Sequence, residues 1–174
     1  QESRGLGDVY KRQELIFSND SSLKNMVQYD VFEKVTKLKR LPYWRSKDDT
    51  NYYWADIDTT YVISHIDRYY NVQFSRDIID NVIETEAYNN KFHPIKSFIE
   101  SKRWDGIKRI EMLFVEYLGA ENTHYNREVA KKWLMGAVAR IYQPGIKFDS
   151  MTILYGKQGG GKSTLASKLG GQWY

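Results

Sequence analysis

The sequence predicts an α+β chain whose last part begins an α/β domain. Apolar residues recur at helical spacing over much of residues 58–142, which is typical of amphipathic helices that pack on one another. Further along, the apolar run 151–155 precedes a glycine-rich segment and a second helical pattern. This is the order of a buried strand, a loop and a helix.

The glycine-rich segment 156–164 reads GKQGGGKST and fits the pattern G-x-x-x-x-G-K-[ST]. Glycine adopts positive φ without a Cβ clash, so successive backbone N–H groups can turn toward one anion, and the next helix adds its own free N–H groups. We therefore expect the first strand, phosphate-binding loop and helix of a P-loop NTPase domain. The expected nucleotide-binding residues are Gly156, Gln158, Gly159, Gly160, Gly161, Lys162, Ser163 and Thr164.

ATP and Mg²⁺ are the cofactors that this motif predicts. Lys162 is the candidate catalytic residue, because a lysine at this position reaches the β- and γ-phosphates. The Ser163 hydroxyl is the candidate Mg²⁺ ligand. The alternative is a glycine-rich turn that happens to precede a lysine, and the motif does not specify the base.

Features at both ends of the sequence indicate that it is a piece of a longer reading frame. Residues 8–13, DVYKRQ, are encoded by GAT GTG TAT AAG AGA CAG, which resembles a transposon end, so we expect residues 1–13 to be non-native or disordered. Only ten residues follow Thr164 (174 − 164), too few for the acidic strand that completes the Mg²⁺ site of a P-loop ATPase. The chain itself is therefore expected to bind nucleotide weakly and to be inactive.

Composition favours an intracellular protein with an anionic partner. The sequence has no cysteine, and no apolar run is long enough for a membrane span, so we expect a cytoplasmic location and no membrane contact. Residues 1–90 carry 12 Lys+Arg against 15 Asp+Glu (net −3), and residues 91–174 carry 14 against 7 (net +7). A basic half suits nucleic acid, although the same charges also fit a solvated helix face.

We divide the remaining chain into residues 14–57, a small β or irregular segment, residues 58–146, a helical module, and residues 147–174, the start of the ATPase domain. In the first segment, Tyr29–Val35 and Lys37–Leu41 are predicted as strands. Its aromatic and basic residues either stack on single-stranded nucleic acid or form the core of a hairpin.

Apolar stripes and helix-end signals place the helices of the module, and we expect the stripes to be packing surfaces rather than cofactor sites. The predicted helices start near Asp58, after Ser75 as N-cap, at Pro94, at Ile107 with an end at Gly119, and at about Arg127 with an end at Tyr142.

Three segments in fixed order resemble the virulence-associated protein E family. They are NKFHPIKSFIESKRWDGIKRI at 90–110, YLGAENTHYNREVAKKWLMGAVARIYQPGIKFD at 117–149 and ILYGKQGGGKSTLASKLGGQWY at 153–174. Members of this family are P-loop ATPases of phages and genomic islands, often grouped with superfamily 3 helicases, so the resemblance implies an AAA+-like domain.

The resemblance implies the ATP-binding part of a replication-associated ATPase in a bacterial or phage-infected cell. We expect a DNA helicase-like motor whose full-length form hydrolyses ATP, assembles as a homo-oligomer and binds single-stranded DNA. It also implies nucleotide binding by the loop residues 156 and 159–164. The alternative is a nucleotide-gated regulatory or assembly protein of a mobile element that does not translocate on DNA.

Overall fold

The computed structural model describes the backbone of residues 2–173 and the side chains of residues 11–173. The expected α+β class is confirmed: about half of these residues are helical, and a two-stranded sheet is present. The elements are α1 Glu2–Asn19, β1 Val27–Asp30, β2 Val35–Leu38, α2 Asp56–Tyr70, α3 Arg76–Asn89, α4 Pro94–Glu100, α5 Leu113–Leu118, α6 His124–Tyr142 and α7 Lys162–Gly170, with 3₁₀ turns at Ile110–Met112 and Gly171–Trp173.

The chain divides into two compact units between Ser97 and Phe98. The first unit contains α1, the sheet, α2 and α3, and the second contains α5, α6 and α7. Among the helices described, none is long and apolar enough to cross a membrane.

Helix α1 covers most of residues 1–13, for which we expected foreign or disordered sequence. Within this range, the Gln13 side chain is fully buried, and neither its amide oxygen nor its nitrogen has a hydrogen-bond partner among the described residues. An unpaired buried amide is unfavourable by about 1–3 kcal/mol. The foreign origin of residues 1–13 stays a prediction, and Gln1 lies outside the described residues.

A buried aspartate closes the turn between β1 and β2. The strands pair antiparallel from Val27 opposite Leu38 to Asp30 opposite Val35. Asp30 Oδ1 accepts the backbone N–H groups of Phe32 at 2.9 Å and Glu33 at 3.1 Å, and this side-chain turn reverses the chain. The predicted strand 29–35 is therefore wrong, because it contains the end of one strand, the turn and the start of the next. The predicted strand 37–41 overlaps only the end of β2.

Helices α2 and α3 contribute six of the eleven described buried apolar residues of the first unit. Both predicted helices are confirmed, and Ser75 occupies the N-cap position of α3 with extended backbone. The buried apolar residues of this unit are Phe17, Leu23, Met26, Val27, Leu38, Val62, Ile66, Ile79, Val82, Ile83 and Ala87.

The first turn of α2 is fixed by the buried carboxylate of Asp58. It accepts Nε–H of Arg45, the indole N–H of Trp44 and the backbone N–H of Ala55, each at 2.9 Å, and Arg45 Nη2 also donates to it. A second indole, that of Trp54, donates to Thr59 at 3.2 Å. Both tryptophans thus anchor the loop before α2, which favours a structural role for them.

Arg45 also donates hydrogen bonds to other residues of the same loop. It binds the Asp49 carboxylate at 3.1 Å and the carbonyls of Asn51 and Tyr53 at 3.0 and 2.9 Å. Burial alone would raise the pKa of Asp58, but the hydrogen bonds from Arg45 and Trp44 outweigh it, and the pKa is lowered. The bond with Asp58 also raises the pKa of Arg45.

We predict that Asp58→Asn lowers the free energy of unfolding at neutral pH by about 3 kcal/mol, because it removes the buried charge partner of Arg45 and leaves the guanidinium only the more exposed Asp49. The pKa of Asp58 is lower in the folded chain than its ordinary value of 3.8. Its contribution is therefore present above pH 3.8 and is lost as the pH falls through the lower folded value. Urea unfolding followed by circular dichroism at pH 7 and pH 3 measures both effects.

Asp48→Asn is the matched control, because Asp48 is exposed in the same loop and forms no ion pair with a described residue. The control should unfold like the original chain at both pH values. Equal stability of Asp58→Asn and the control at pH 7 would show that the Arg45–Asp58 pair does not stabilise the fold.

Candidate functional site

The glycine-rich loop of the second unit is held by a small apolar cluster. The buried residues of this cluster are Leu113, Phe114, Ala130 and Leu165. Leu165 lies in α7, after the loop, and Leu154, before the loop, packs against the same cluster. Both flanks of the loop are therefore anchored on the α5–α6 helix pair.

The two helices that build this cluster were predicted with different success. Helix α6, His124–Tyr142, confirms the predicted long helix, and Thr123 caps it by accepting the Asn126 N–H at 3.1 Å. Helix α5 ends as predicted at Gly119, which adopts φ 66°. Its start is wrong in the prediction: residues 107–109 are not helical, and a 3₁₀ turn, Ile110–Met112, precedes α5.

The segment before the loop is extended but is not a strand, which corrects the buried strand predicted at 151–155. Met151, Ile153 and Tyr155 are exposed by 82%, 76% and 100%, whereas the alternate residues Thr152 and Leu154 are half-buried. No strand of the described chain pairs with this segment, so its backbone lacks the ladder that defines a strand. Leu154 packs on the cluster of α5 and α6 and holds this segment against the helices.

Gly136 sets the position where Phe148, just before this segment, packs on α6. A Cβ built on Gly136 would lie 2.5 Å from two ring carbons of Phe148, so the ring occupies the place of a side chain. Arg140, one turn further along α6, lies 5.7 Å from the centre of the same ring and donates to the Phe148 carbonyl at 3.3 Å. Only glycine at position 136 allows this close approach.

Two glycines of the loop adopt the left-handed backbone conformation that occurs in phosphate-binding nests. Gly159 and Gly161 adopt φ 81° and 79°, values that side-chain-bearing residues rarely take. The Gly160 N–H donates to the Lys157 carbonyl at 3.4 Å and closes the turn, with Gln158 exposed at its tip. Gly156 to Gly160 all face solvent.

Helix α7 presents a free N-terminus directly after the loop. Its N-cap residue is Gly161, which has no side chain to accept the first N–H groups, and its first turn contains no acidic residue. The hydroxyls of Ser163 and Thr164 are exposed in this turn. The unpaired N–H groups and the helix dipole therefore favour an anion at this end.

The amine of Lys162 is folded onto the loop itself. Lys162 Nζ donates to the carbonyl of Gly156 at 3.0 Å and to that of Lys157 at 2.6 Å. The cation is thus placed against the same backbone segment that carries the loop N–H groups. The structure brings together the predicted residues 156 and 158–164 in one loop and the first turn of α7, and their assignment to a nucleotide stays a prediction.

A groove of about 820 Å³ opens beside this loop. Gly156, Gly160 and Lys162 line it at the loop, and the side of α6 that carries Tyr125, Val129 and Trp133 lines it at the helix. These three α6 residues are spaced four apart and therefore share one helix face. The volume falls within the range of small-molecule sites.

Sequence reasoning missed both Gly136 and the groove face of α6. An isolated glycine inside a helical pattern is a signal of close packing and could have indicated the Phe148 contact. Tyr125 carries no such signal, because one exposed tyrosine at a helix start is common. Within the described chain, no group of three or more histidine, aspartate or glutamate side chains is arranged to hold a metal ion.

Residues 99–174 match the family described as virulence-associated protein E-like domain, which confirms the resemblance predicted from the segments after Asn90. The match supports a protein associated with mobile genetic elements. A search of curated proteins found no relative of the chain.

We predict that Gly136→Ala destabilises the second unit by about 1–3 kcal/mol, because the new methyl group displaces the Phe148 ring. Alanine otherwise favours a helix over glycine by about 1 kcal/mol. In the background of Phe148→Ala the same substitution should therefore stabilise the chain. Urea unfolding of the original chain, the two single variants and the double variant measures the effect of Gly136→Ala on the free energy of unfolding in each background. Stabilisation by Gly136→Ala in both backgrounds would contradict the contact.

Proposed function

We propose that this chain, whose residues 99–174 form a virulence-associated protein E-like domain, binds the triphosphate of ATP with Mg²⁺ at residues 156–164. In this proposal the loop is the start of a P-loop NTPase domain of the AAA+ type. The domain belongs to an ATPase of a phage or another mobile element.

One observation carries the proposal: the glycine-rich loop, the uncapped start of α7 and the Lys162 amine lie together beside a groove. Each of these groups favours an anion, and together they can surround one phosphate. The unit that holds them is basic, with 12 Lys+Arg against 7 Asp+Glu in residues 98–174 (net +5). Its overall charge therefore also attracts a polyphosphate.

Lys162 has a defined task in this proposal. Its amine leaves the carbonyls of Gly156 and Lys157 and donates to the β- and γ-phosphate oxygens. The exposed Ser163 hydroxyl is free to be a ligand of Mg²⁺, which neutralises the phosphate charge when bound. Because binding must break two existing contacts of Lys162, we expect a dissociation constant for Mg-ATP weaker than about 1 μM.

We predict that Lys162→Ala weakens binding of both Mg-ATP and inorganic tripolyphosphate at least about tenfold, because it removes a charge-assisted hydrogen bond to the phosphates. Titrations followed by NMR chemical shifts of the α7 backbone amides measure these weak affinities directly. Lys168→Ala is the control, since it removes an equal charge from the last turn of the same helix. Equal losses in the two variants would show that only net charge matters and would contradict the proposed loop.

The proposal extends to DNA. We propose that the full-length form of this protein is a helicase-like motor that acts as a homo-oligomer on single-stranded DNA, as the family resemblance implies. The basic character of residues 98–174 supports a polyanionic partner.

We therefore predict that ATP hydrolysis by the full-length protein is stimulated by single-stranded DNA and that Lys162→Ala abolishes the stimulated rate. Phosphate release with and without a mixed-sequence oligonucleotide measures it, and Lys168→Ala should retain the stimulation. Nucleotide binding without any effect of DNA would instead favour a nucleotide-gated regulatory or assembly protein.

A further inference from the structure

We infer that the groove beside the loop binds the nucleoside part of the triphosphate, with the base stacked on Tyr125 and its exocyclic amino group bonded to Asn126. The inference rests on the proposed function and adds the site that reads the base. The loop motif alone supplies no such site, because it contacts phosphates only.

The path of the chain places the loop beside the first turns of α6. Phe148 packs on Gly136 in the later half of α6, and Leu154 packs on the cluster around Ala130, nearer its start. The segment between them therefore runs back along α6 and delivers the loop to its N-terminal end. Consistent with this path, a Cβ built on Gly161 would lie 3.8 Å from Leu118 Cδ2, just before the turn that leads into α6.

Tyr125 has the properties of a stacking residue. It lines the groove one turn before Val129, and its side chain is 74% exposed. It makes no ring contact with a described aromatic residue, although Trp133 on the same face packs on Phe114 at 5.6 Å. A tyrosine ring with a free face next to a phosphate loop offers a base the apolar surface that phosphate contacts lack.

Asn126 supplies the polar contact that a base requires. Its side-chain nitrogen donates to the Glu121 carbonyl at 2.8 Å, which fixes the amide and leaves its oxygen as a free acceptor among the described residues. Asn126 also lines the groove. An acceptor at this point pairs with the amino group of adenine and not with the carbonyl oxygen that replaces it in hypoxanthine. The groove is therefore expected to prefer ATP to ITP.

The test compares ligands that share the triphosphate and differ in the base. ATP, ITP and inorganic tripolyphosphate, each with Mg²⁺, are titrated into the 174-residue chain and followed by NMR chemical shifts. We expect Tyr125→Ala to lower the affinity for ATP at least about fivefold, which corresponds to the lower end of the free energy of one base-stacking contact. The affinity for tripolyphosphate should stay within about twofold of that of the original chain. Tyr125→Phe should retain the affinity for ATP because it keeps the ring, and the original chain should bind ATP more tightly than ITP.

Tyr117→Ala is the matched control, because Tyr117 is 63% exposed on α5 and its side chain does not line the groove. It should change none of the three affinities. Equal weakening of ATP and tripolyphosphate by Tyr125→Ala, or no weakening of either, overturns the inference while Lys162-dependent binding still supports the loop. If neither ATP nor tripolyphosphate binds, or if binding ignores Lys162→Ala, the proposed function fails and the inference fails with it.

Discussion

The geometry of the candidate site depends on the packing of two leucines against one helix pair. Leu154 and Leu165 stand on either side of the loop, and both contact the cluster around Phe114 and Ala130. Full burial of a leucine side chain contributes about 1.5–3 kcal/mol, a range that applies to Leu165, and the half-buried Leu154 contributes less. Together the two contacts hold the ends of a loop that is flanked by no strand of the described chain. The glycines between them then need only local geometry, which the positive φ values of Gly159 and Gly161 supply.

The helices could be predicted from sequence because their signal is local. The apolar stripes of α2 and α3 follow a period of 3.6 and supply buried core residues. The stripe of α6 is packed only in part, because Ala130 is buried whereas Val138 and Tyr142 are exposed. End signals were equally reliable where one residue type is nearly required, as at Gly119, which adopts the left-handed conformation that closes α5. The helix predicted to start near Lys162 is likewise present as α7, although the strand predicted before the loop is not.

The strands could not be predicted, because a strand is defined by its partner. Residues 151–155 form an apolar run that predicts a buried strand, but no described strand pairs with them, and Met151, Ile153 and Tyr155 are exposed. In the hairpin the error has another cause. The turn is closed by the side chain of Asp30, which accepts the backbone N–H groups of Phe32 and Glu33. A period-2 pattern of apolar residues contains no signal for such a turn. Gly136 and Tyr125 depend on tertiary neighbours that a single sequence does not reveal.

The contacts of Lys162 within the loop affect the affinity of the loop for an anion. Lys162 satisfies its amine with two carbonyls, and the Lys157 carbonyl accepts from the Gly160 N–H as well as from Lys162. A phosphate must therefore compete with an existing set of contacts, which weakens binding by the free energy of that set. Stacking of a base on Tyr125 would break no existing ring contact, because Tyr125 contacts no described aromatic ring. The free energy of this stacking would therefore add directly to the affinity. For this reason base recognition by α6, rather than the phosphate loop alone, would decide how tightly the domain holds a nucleotide.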